Sequence, residues 1–200
     1  MTTTTVTVTS ASRHHTASAV VIDPTRGLVL LVAHKLTGRH QFPGGHVDPD
    51  ETGDQCALRE VAEETGVTAT LWTAPRDRTP IPGAVRHPTP LMVCEFPAPA
   101  DPDPAWNEPA HHHIDLLYLA TADATTPTTI QPDEVDAAIW VPLADLTAPP
   151  VRPDVPVAAR LACDLLGLAH PGKPTPVDDE PEPQVSAWEV DRRLRPVGRG

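Results

Sequence analysis

Three glutamates lie close together in one short segment whose sequence is typical of a helix. Residues 52–65 read TGDQCALREVAEET, and Glu60, Glu63 and Glu64 occupy positions i, i+3 and i+4 within it. Side chains at this spacing are neighbours on a helix, where like charges repel by roughly 0.2–0.5 kcal/mol. Folding alone therefore gives no reason for the cluster. A divalent cation does, because clustered carboxylate oxygens suit hard ions such as Mg²⁺ and Mn²⁺.

The same segment is predicted to pack on a sheet through an apolar stripe. On a helical projection, this stripe lies opposite the three glutamates and consists of Leu58, Val61, Ala62 and Thr65. The projection therefore predicts one packed face and one carboxylate face.

Signals for both ends of this helix are present, and a glycine-containing loop precedes it. Thr52, with Gln55 three residues later, forms a capping box, and Gly66 follows the last turn as a stop signal. In the loop, QFPGGH at 41–46, two glycines would let a backbone carbonyl approach a metal closely. Arg59 is placed to hold a carboxylate with its planar guanidinium fork.

The whole segment 45–67, GHVDPDETGDQCALREVAEETGV, resembles the Nudix box. That pattern is a glycine, five residues, a glutamate, seven residues and R-E-U-x-E-E-x-G-U, in which U is a bulky aliphatic residue. All nine specified positions are filled, by Gly45, Glu51, Arg59, Glu60, Val61, Glu63, Glu64, Gly66 and Val67. The resemblance implies an α/β fold, the Nudix-type α/β/α sandwich with a mixed β-sheet, and it extends in outline over residues 14–168.

The resemblance implies hydrolysis of a nucleoside diphosphate linked to another group, by attack of metal-activated water on phosphorus. Glu60 and Glu64 match the principal metal carboxylates of the family. Glu63 matches a carboxylate that often joins them, and Gly45 matches the residue whose carbonyl can complete the metal's coordination. The implied cofactor is Mg²⁺, for which Mn²⁺ is the expected substitute.

Two further residues of the box are implied to support this site, and the general base is left with two alternatives. Arg59 matches the residue that orients the glutamates, and Glu51 matches the one that supports the loop and helix. Members of the family take the base from the box or from a later loop. Glu134 is the loop alternative here, in a segment (131–141) that resembles the family's loop before a late strand, and Glu60 is the box alternative.

The substrate is implied to be a small nucleotide or diphosphate compound, but its identity is left open. A nucleotide-sensing module that keeps the fold without turnover is the alternative function; such relatives usually have a damaged box or an added DNA-binding segment. The resemblance is compatible with a homodimer, although no residue in the sequence requires one.

A run of three histidines, 111–113, opens an aliphatic segment. Because side chains alternate along a strand, His113 and Asp115 are predicted to share one face. We interpret them as substrate-binding residues, with a structural pair at the strand entry as the alternative. A separate transition-metal site in this run is the least favoured interpretation.

The remaining elements alternate in type. Apolar runs at 16–22 and 28–33 flank a turn, which predicts a hairpin. Short strands are predicted at 91–96, 113–120 and 139–142, and a second helix at 155–168. The order β, β, α, β, β, α favours a layered domain with a mixed sheet.

Length and composition bound the rest. The chain has 200 residues and a net charge of −12, which disfavours long nucleic acids as ligands. Its three cysteines are widely spaced, which favours a reducing compartment, and we expect a cytoplasmic protein. No apolar run is long enough to cross a membrane. We predict a flexible tail at 1–13, the domain at 14–169 and a Pro-rich acidic tail at 170–200.

Overall fold

The computed structural model describes residues 12–35, 38–98, 100, 109–146 and 150–168. Within these ranges, the α-helices and β-strands in chain order are β1 (Arg13–Asp23), β2 (Leu28–His34), β3 (Arg39–Gln41), β4 (Gly44–His46), α1 (Gly53–Thr65), β5 (Thr70–Leu71), β6 (Met92–Ala98), β7 (His111–Thr121), β8 (Val135–Pro142) and α2 (Asp154–Leu166). Nearly all of the two predicted tails lies outside the described residues, and the domain limits stay predictions.

The predicted hairpin at the start of the chain is confirmed. β1 and β2 pair in antiparallel fashion, and the turn between them is built on the Asp23 carboxylate. That carboxylate accepts hydrogen bonds from the backbone N–H groups of Thr25 and Arg26, both at 2.9 Å. Gly27 closes the turn with a φ of 65°, which an L side chain rarely adopts.

All the strands join one mixed sheet, as predicted. The order across the sheet is β3-β2-β1-β7-β5, while β4 pairs with β1, β6 with β7 and β8 with β2. The central pair, β1 and β7, is parallel, and the other pairings are antiparallel. β7 occupies one edge of β1. On the other edge, β4 pairs with residues 16–18 and β2 pairs with residues 21–23.

The sheet separates two hydrophobic layers, each covered by one helix. Val20 and Ile22 of β1 pack in the layer that includes α2, whereas Ala19 and Val21 pack in the layer that includes α1. This alternation is the period-two pattern of a strand buried on both faces. The predicted α/β/α sandwich with a mixed sheet is thus confirmed, and no described helix is long and apolar enough to span a bilayer.

Candidate active site

Helix α1 ends at the predicted residue and begins one residue later than predicted, directly after its N-cap. Thr52 is the N-cap, and its backbone N–H donates to Gln55 Oε1 at 2.9 Å, one half of the capping box. Gly66 ends the helix with a φ of 69°, and its N–H donates to the Ala62 carbonyl at 2.9 Å. The helix is therefore held at both ends, which fixes the positions of the glutamates between them.

The predicted division of α1 into an apolar face and a carboxylate face is wrong in part. Ala62, expected on the packed stripe, is exposed, while Glu60 and Glu64 are buried at 7% and 3% exposure. The physical reason lies in β4, where Gly45 has no side chain and so leaves space between the sheet and α1. A Cβ at Gly45 would lie 2.7 Å from Cδ of Glu60.

Glu64 uses the same gap in a different way. The backbone N–H of Gly44 donates to Glu64 Oε2 at 3.0 Å. The two adjacent glycines therefore admit both buried carboxylates of the helix, one by leaving room and one by donating a hydrogen bond. Sequence reasoning assigned these glycines only to the approach of a carbonyl to a metal.

A third carboxylate joins the pair from far along the chain. One oxygen each of Glu60, Glu64 and Glu134 lie within 4.8 Å of one another, and we call this group the acidic centre. Glu134 is exposed and ends the turn before β8, where its N–H donates to the Gln131 carbonyl at 3.1 Å. The β8–β2 pairing brings this turn towards α1. The resemblance to the family's late loop predicted Glu134 at this position, with Glu60 as the alternative base.

Glu63 lies outside the acidic centre. Its side chain is 47% exposed, and its Oε2 accepts a hydrogen bond from Nη1 of Arg59 at 2.9 Å. The same nitrogen donates to Glu60 Oε1 at 2.7 Å. Arg59 thus ties the exposed glutamate to one of the two buried ones.

Arg59 also binds Glu51 in a two-point contact. Nε of Arg59 donates to Glu51 Oε2 at 3.1 Å, and Nη2 donates to Glu51 Oε1 at 2.6 Å. Nη2 further donates to the backbone carbonyl of His46 at 3.1 Å. The two contacts with Glu51 form the bidentate arrangement that a guanidinium and a carboxylate favour. Arg59 therefore links its own helix, α1, both to β4 and to the segment between β4 and α1 that carries Glu51.

The carboxyl groups differ in their pKa values because their surroundings differ. The hydrogen bonds from Arg59 lower the pKa of Glu51 to about 2. Burial raises the pKa of Glu64 to about 8, with the Gly44 N–H acting against it and the charges of Glu60 and Glu134 adding to it. Burial also raises the pKa of Glu60, partly offset by Arg59.

The acidic centre fits a hard divalent cation. The charge of Glu134 adds to the raised pKa of both Glu60 and Glu64 when no cation is bound, and a positive ion between the carboxylates would reverse that effect. Its oxygen-only ligands match the preference of Mg²⁺ and Mn²⁺ rather than that of softer ions. Glu134 is the member of the acidic centre that is exposed to solvent.

Asp115 lies on β7 and is almost fully buried, at 5% exposure. Its Oδ1 accepts hydrogen bonds from Thr16 Oγ1 and Ser18 Oγ of β1, both at 2.9 Å. Burial raises the pKa of Asp115, and these two hydroxyl donors act against the rise. His113, two residues earlier on the same strand, packs edge-on to His46 with ring centroids 4.9 Å apart.

The sequence interpretation missed two features of this region. The hydroxyl partners of Asp115 were signalled only by the polar residues of Thr-Ala-Ser at 16–18, inside an otherwise apolar strand. The second feature is a gathering of His14, His46 and His111, which come from three different strands. No local spacing could have revealed it, because it depends on the pairing of those strands.

Comparison with known proteins agrees with the fold and the box. A family model, NUDIX domain, matches residues 12–162, and the chain belongs to this family. The m7GpppN-mRNA hydrolase NUDT17 from Homo sapiens is 30% identical over 161 residues, which are 78% of this chain and 40% of that protein. The NAD-capped RNA hydrolase NudC from Stutzerimonas stutzeri (strain A1501) is 26% identical over 162 residues, 80% of this chain and 47% of that protein.

A solved structure covers a similar part of the chain. The crystal structure of a NUDIX-family hydrolase from Clostridium perfringens superposes with a TM-score of 0.60 and 26% sequence identity, covering 78% of this chain and 99% of that one. By contrast, the chain spans less than half the length of the two curated relatives described above.

Proposed function

We propose that this protein is a Mg²⁺-dependent hydrolase of the diphosphate linkage in a nucleotide or nucleoside diphosphate derivative. The observation that carries the proposal is the convergence of Glu60, Glu64 and Glu134 within 4.8 Å of one another. Two relatives support it, since they are named as hydrolases of m7GpppN-mRNA and of NAD-capped RNA.

We assign the metal to residues of the box. Glu60, Glu64 and the carbonyl of Gly45 would hold Mg²⁺, and Mn²⁺ would substitute for it. Such an ion supplies positive charge that polarises phosphoryl oxygens and lowers the pKa of bound water. Arg59 keeps Glu60 in place through the 2.7 Å hydrogen bond. Glu63, exposed and held by Arg59, is the outermost member of the proposed ligand set.

The attacking water needs a base, and the position of Glu134 favours it for that role. Its carboxylate is exposed beside the buried glutamates, so it can reach a water that approaches from solvent. Glu60 is the alternative, but it already accepts a hydrogen bond from Arg59. We therefore assign proton acceptance to Glu134 and keep Glu60 as a metal ligand.

We keep His113 and Asp115 as the proposed substrate-binding residues; they share the face of β7 that packs in the α2 layer, so they would contact a part of the substrate remote from the acidic centre. Both lie on β7, and Asp115 has a second carboxylate oxygen besides the one that Thr16 and Ser18 use. A buried carboxylate of this kind can accept a hydrogen bond from a ligand amino or hydroxyl group. We propose a small-molecule substrate rather than a long nucleic acid, because the net charge is −12. A cytoplasmic location and a homodimer remain proposals.

The test is a product-resolved screen of the full chain with Mg²⁺ and Mn²⁺ against nucleoside triphosphates, sugar nucleotides, dinucleotides and capped RNA fragments. We expect cleavage of one diphosphate linkage with at least one of these classes. Glu64→Gln is expected to lower turnover at least about a hundredfold. Loss of a residue that only hydrogen-bonds to a metal ligand typically costs about 10- to 100-fold, and loss of a ligand itself should cost more. Glu95→Gln, an exposed acidic position on β6, is the matched control and should keep full turnover.

Two results would contradict the proposal. Turnover that Glu64→Gln leaves unchanged would remove the acidic centre from the reaction. Tight nucleotide binding by the wild-type chain without any product would instead favour the nucleotide-sensing alternative.

A further inference from the structure

A second group of ligating side chains lies outside the acidic centre. One ring nitrogen each of His14, His46 and His111 lie within 4.8 Å of one another, and we call these three residues the imidazole cluster. His113 borders the cluster, with its ring centroid 4.7 Å from that of His111 and 4.9 Å from that of His46. Four imidazole rings are thus packed into one small volume.

Strand pairing, rather than a loop, positions these rings. β4 pairs with β1 so that His46 lies opposite Thr16, and His14 precedes Thr16 by two residues on the same face of β1. On β7, His111 precedes Asp115 by four residues and therefore shares its face, the face on which Asp115 accepts a hydrogen bond from Thr16. The three ligand positions are consequently fixed by neighbouring strands of one sheet.

His111 is oriented in the way that metal-binding histidines are. It is 4% exposed, and its Nδ1 lies 2.8 Å from the backbone carbonyl of Pro109. A carbonyl only accepts, so Nδ1 carries the proton and Nε2 carries the lone pair that a metal would use. A hydrogen bond of this type commonly fixes both the tautomer and the ring orientation of a histidine ligand.

The imidazole cluster differs from the acidic centre in direction and in chemistry. Along β4, the space next to Gly45 is filled by the Glu60 carboxylate, whereas His46 is the next residue and its side chain leaves the strand on the opposite face. Imidazole nitrogens suit Zn²⁺, Ni²⁺, Co²⁺ and Cu²⁺, whereas carboxylate oxygens suit Mg²⁺. The two groups therefore select different ions.

We propose that His14, His46 and His111 form a binding site for a transition-metal dication of the Zn²⁺ type, separate from the acidic centre. A tetrahedral zinc site with bonds of about 2.0–2.1 Å places ligand nitrogens about 3.3 Å apart. The rings must therefore approach one another modestly, and the exposed His46 can move to achieve this. Zn²⁺ is usually four-coordinate, so three histidine ligands would leave its fourth coordination position for water or a small anion. The inference does not depend on the proposed hydrolysis.

The experiment measures binding of Zn²⁺ and Co²⁺ to the chelator-treated full chain in millimolar Mg²⁺, which occupies the carboxylates without competing for imidazoles. We expect one equivalent of Zn²⁺ by calorimetry and visible d–d absorption bands on adding Co²⁺. Binding should weaken in acid, because imidazole binds a metal only in its neutral form. His46→Ala and His111→Asn should each weaken binding at least about tenfold.

Two controls separate this site from the other one and from misfolding. His15→Ala removes an exposed histidine on the opposite face of β1 and should leave Zn²⁺ affinity unchanged, as should the double variant Glu60→Gln/Glu64→Gln. His46 is exposed, so its substitution should not disturb folding, which the thermal unfolding midpoint checks. Absence of Zn²⁺ binding, or binding that the histidine variants keep and the glutamate variant loses, would overturn the proposal.

Discussion

Glu64 is a carboxyl group whose surroundings disfavour its ionised form. It is 3% exposed, it lies beside two other carboxylates, and it accepts a hydrogen bond from the Gly44 N–H. The resulting pKa of about 8 means that, without a cation, this group holds its proton at neutral pH. Binding of a dication would therefore release a proton, so that metal affinity should rise with pH.

The raised pKa of Glu64 predicts how the stability of the metal-free protein depends on pH. The unfolded chain loses this proton near pH 4.5 and the folded chain near pH 8, so the folded state binds more protons between these values. The free energy of unfolding should therefore fall as pH rises from about 4.5 to 8. Glu64→Gln should remove this part of the pH dependence and be more stable than the wild type at pH 8.

The measurement is urea denaturation in a chelator at several pH values for both proteins. Mg²⁺ is expected to reverse the difference for the wild type, since the ion stabilises the ionised carboxylate. A wild-type midpoint that follows that of Glu64→Gln at every pH would show that the buried carboxyl is not the titrating group.

If Glu134 is the general base, its substitution should lower kcat, and hydroxide at high pH should partly restore the rate. Glu134→Gln should lower kcat by at least about a hundredfold, because general bases contribute roughly 10²–10⁴ to rates. The residual rate should increase with pH, since hydroxide replaces the missing base. A kinetic pH profile at saturating Mg²⁺ provides the measurement.

The matched control for Glu134 is Asp136→Asn. Asp136 lies on β8, two residues after Glu134, is exposed and stands outside the acidic centre, so its substitution should leave kcat unchanged. If Glu134→Gln stays within tenfold of the wild type, the proton must go to Glu60 instead.

At the scale of elements, β4 determines how closely α1 approaches the sheet. It is only three residues long, yet it pairs with β1 and faces both buried glutamates of the helix. A Cβ at Gly44 would lie 2.6 Å from the Ala17 carbonyl, and one at Gly45 would lie 2.7 Å from Cδ of Glu60. Gly44 is therefore a steric requirement of the β4–β1 pairing, and Gly45 is a steric requirement of the β4–α1 contact.

Gly45→Ala should disturb this contact. The added methyl group overlaps the Glu60 carboxylate, and overpacking of this kind costs about 1–3 kcal/mol. We expect a lower unfolding midpoint and weaker Mg²⁺ binding, measured by thermal denaturation and calorimetry on the same samples. Unchanged values for both would mean that Glu60 can turn away without cost.

The sequence was most informative where function depends on local spacing. The box, its capping residues and the hairpin turn all have short-range signals, and the limits of α1 differ from the prediction by one residue. The burial of Glu60 and Glu64 was not predictable from a helical projection, which treats charged residues as solvent-facing. It follows from the missing side chains of β4, a feature of a different element.

Long-range pairing explains what the sequence left out. Glu134 joins the acidic centre through the β8–β2 pairing, and only the resemblance to a family loop singled it out. The imidazole cluster needs β1, β4 and β7 side by side. β3, β4 and β5 have only two or three residues each, too few for an alternating pattern.

At the scale of the whole molecule, the charge of −12 opposes the approach of an anionic phosphate compound. A bound dication at the acidic centre reverses the field locally, so the metal and the substrate should bind with positive cooperativity. The same ion stabilises the folded chain, because the ligand set comes together only on folding.

Mg²⁺ should therefore raise the thermal unfolding midpoint of the wild type. At a concentration of one hundred times the dissociation constant, the gain is about 2.7 kcal/mol. Glu60→Gln/Glu64→Gln should lose this shift, while Glu95→Gln keeps it. An equal shift in all three proteins, measured by scanning calorimetry, would indicate general ionic screening in place of a specific site.

The parallel pairing of β1 with β7 also has a consequence for how the chain folds. Thr16 and Asp115 are hydrogen-bonded across 99 positions of sequence, so the central pair of the sheet closes a very long loop. During synthesis the N-terminal hairpin and the box helix emerge first, and the parallel partner strand becomes available only much later. Such high contact order predicts slow folding, in which the complete set of carboxylates assembles as one of the last events.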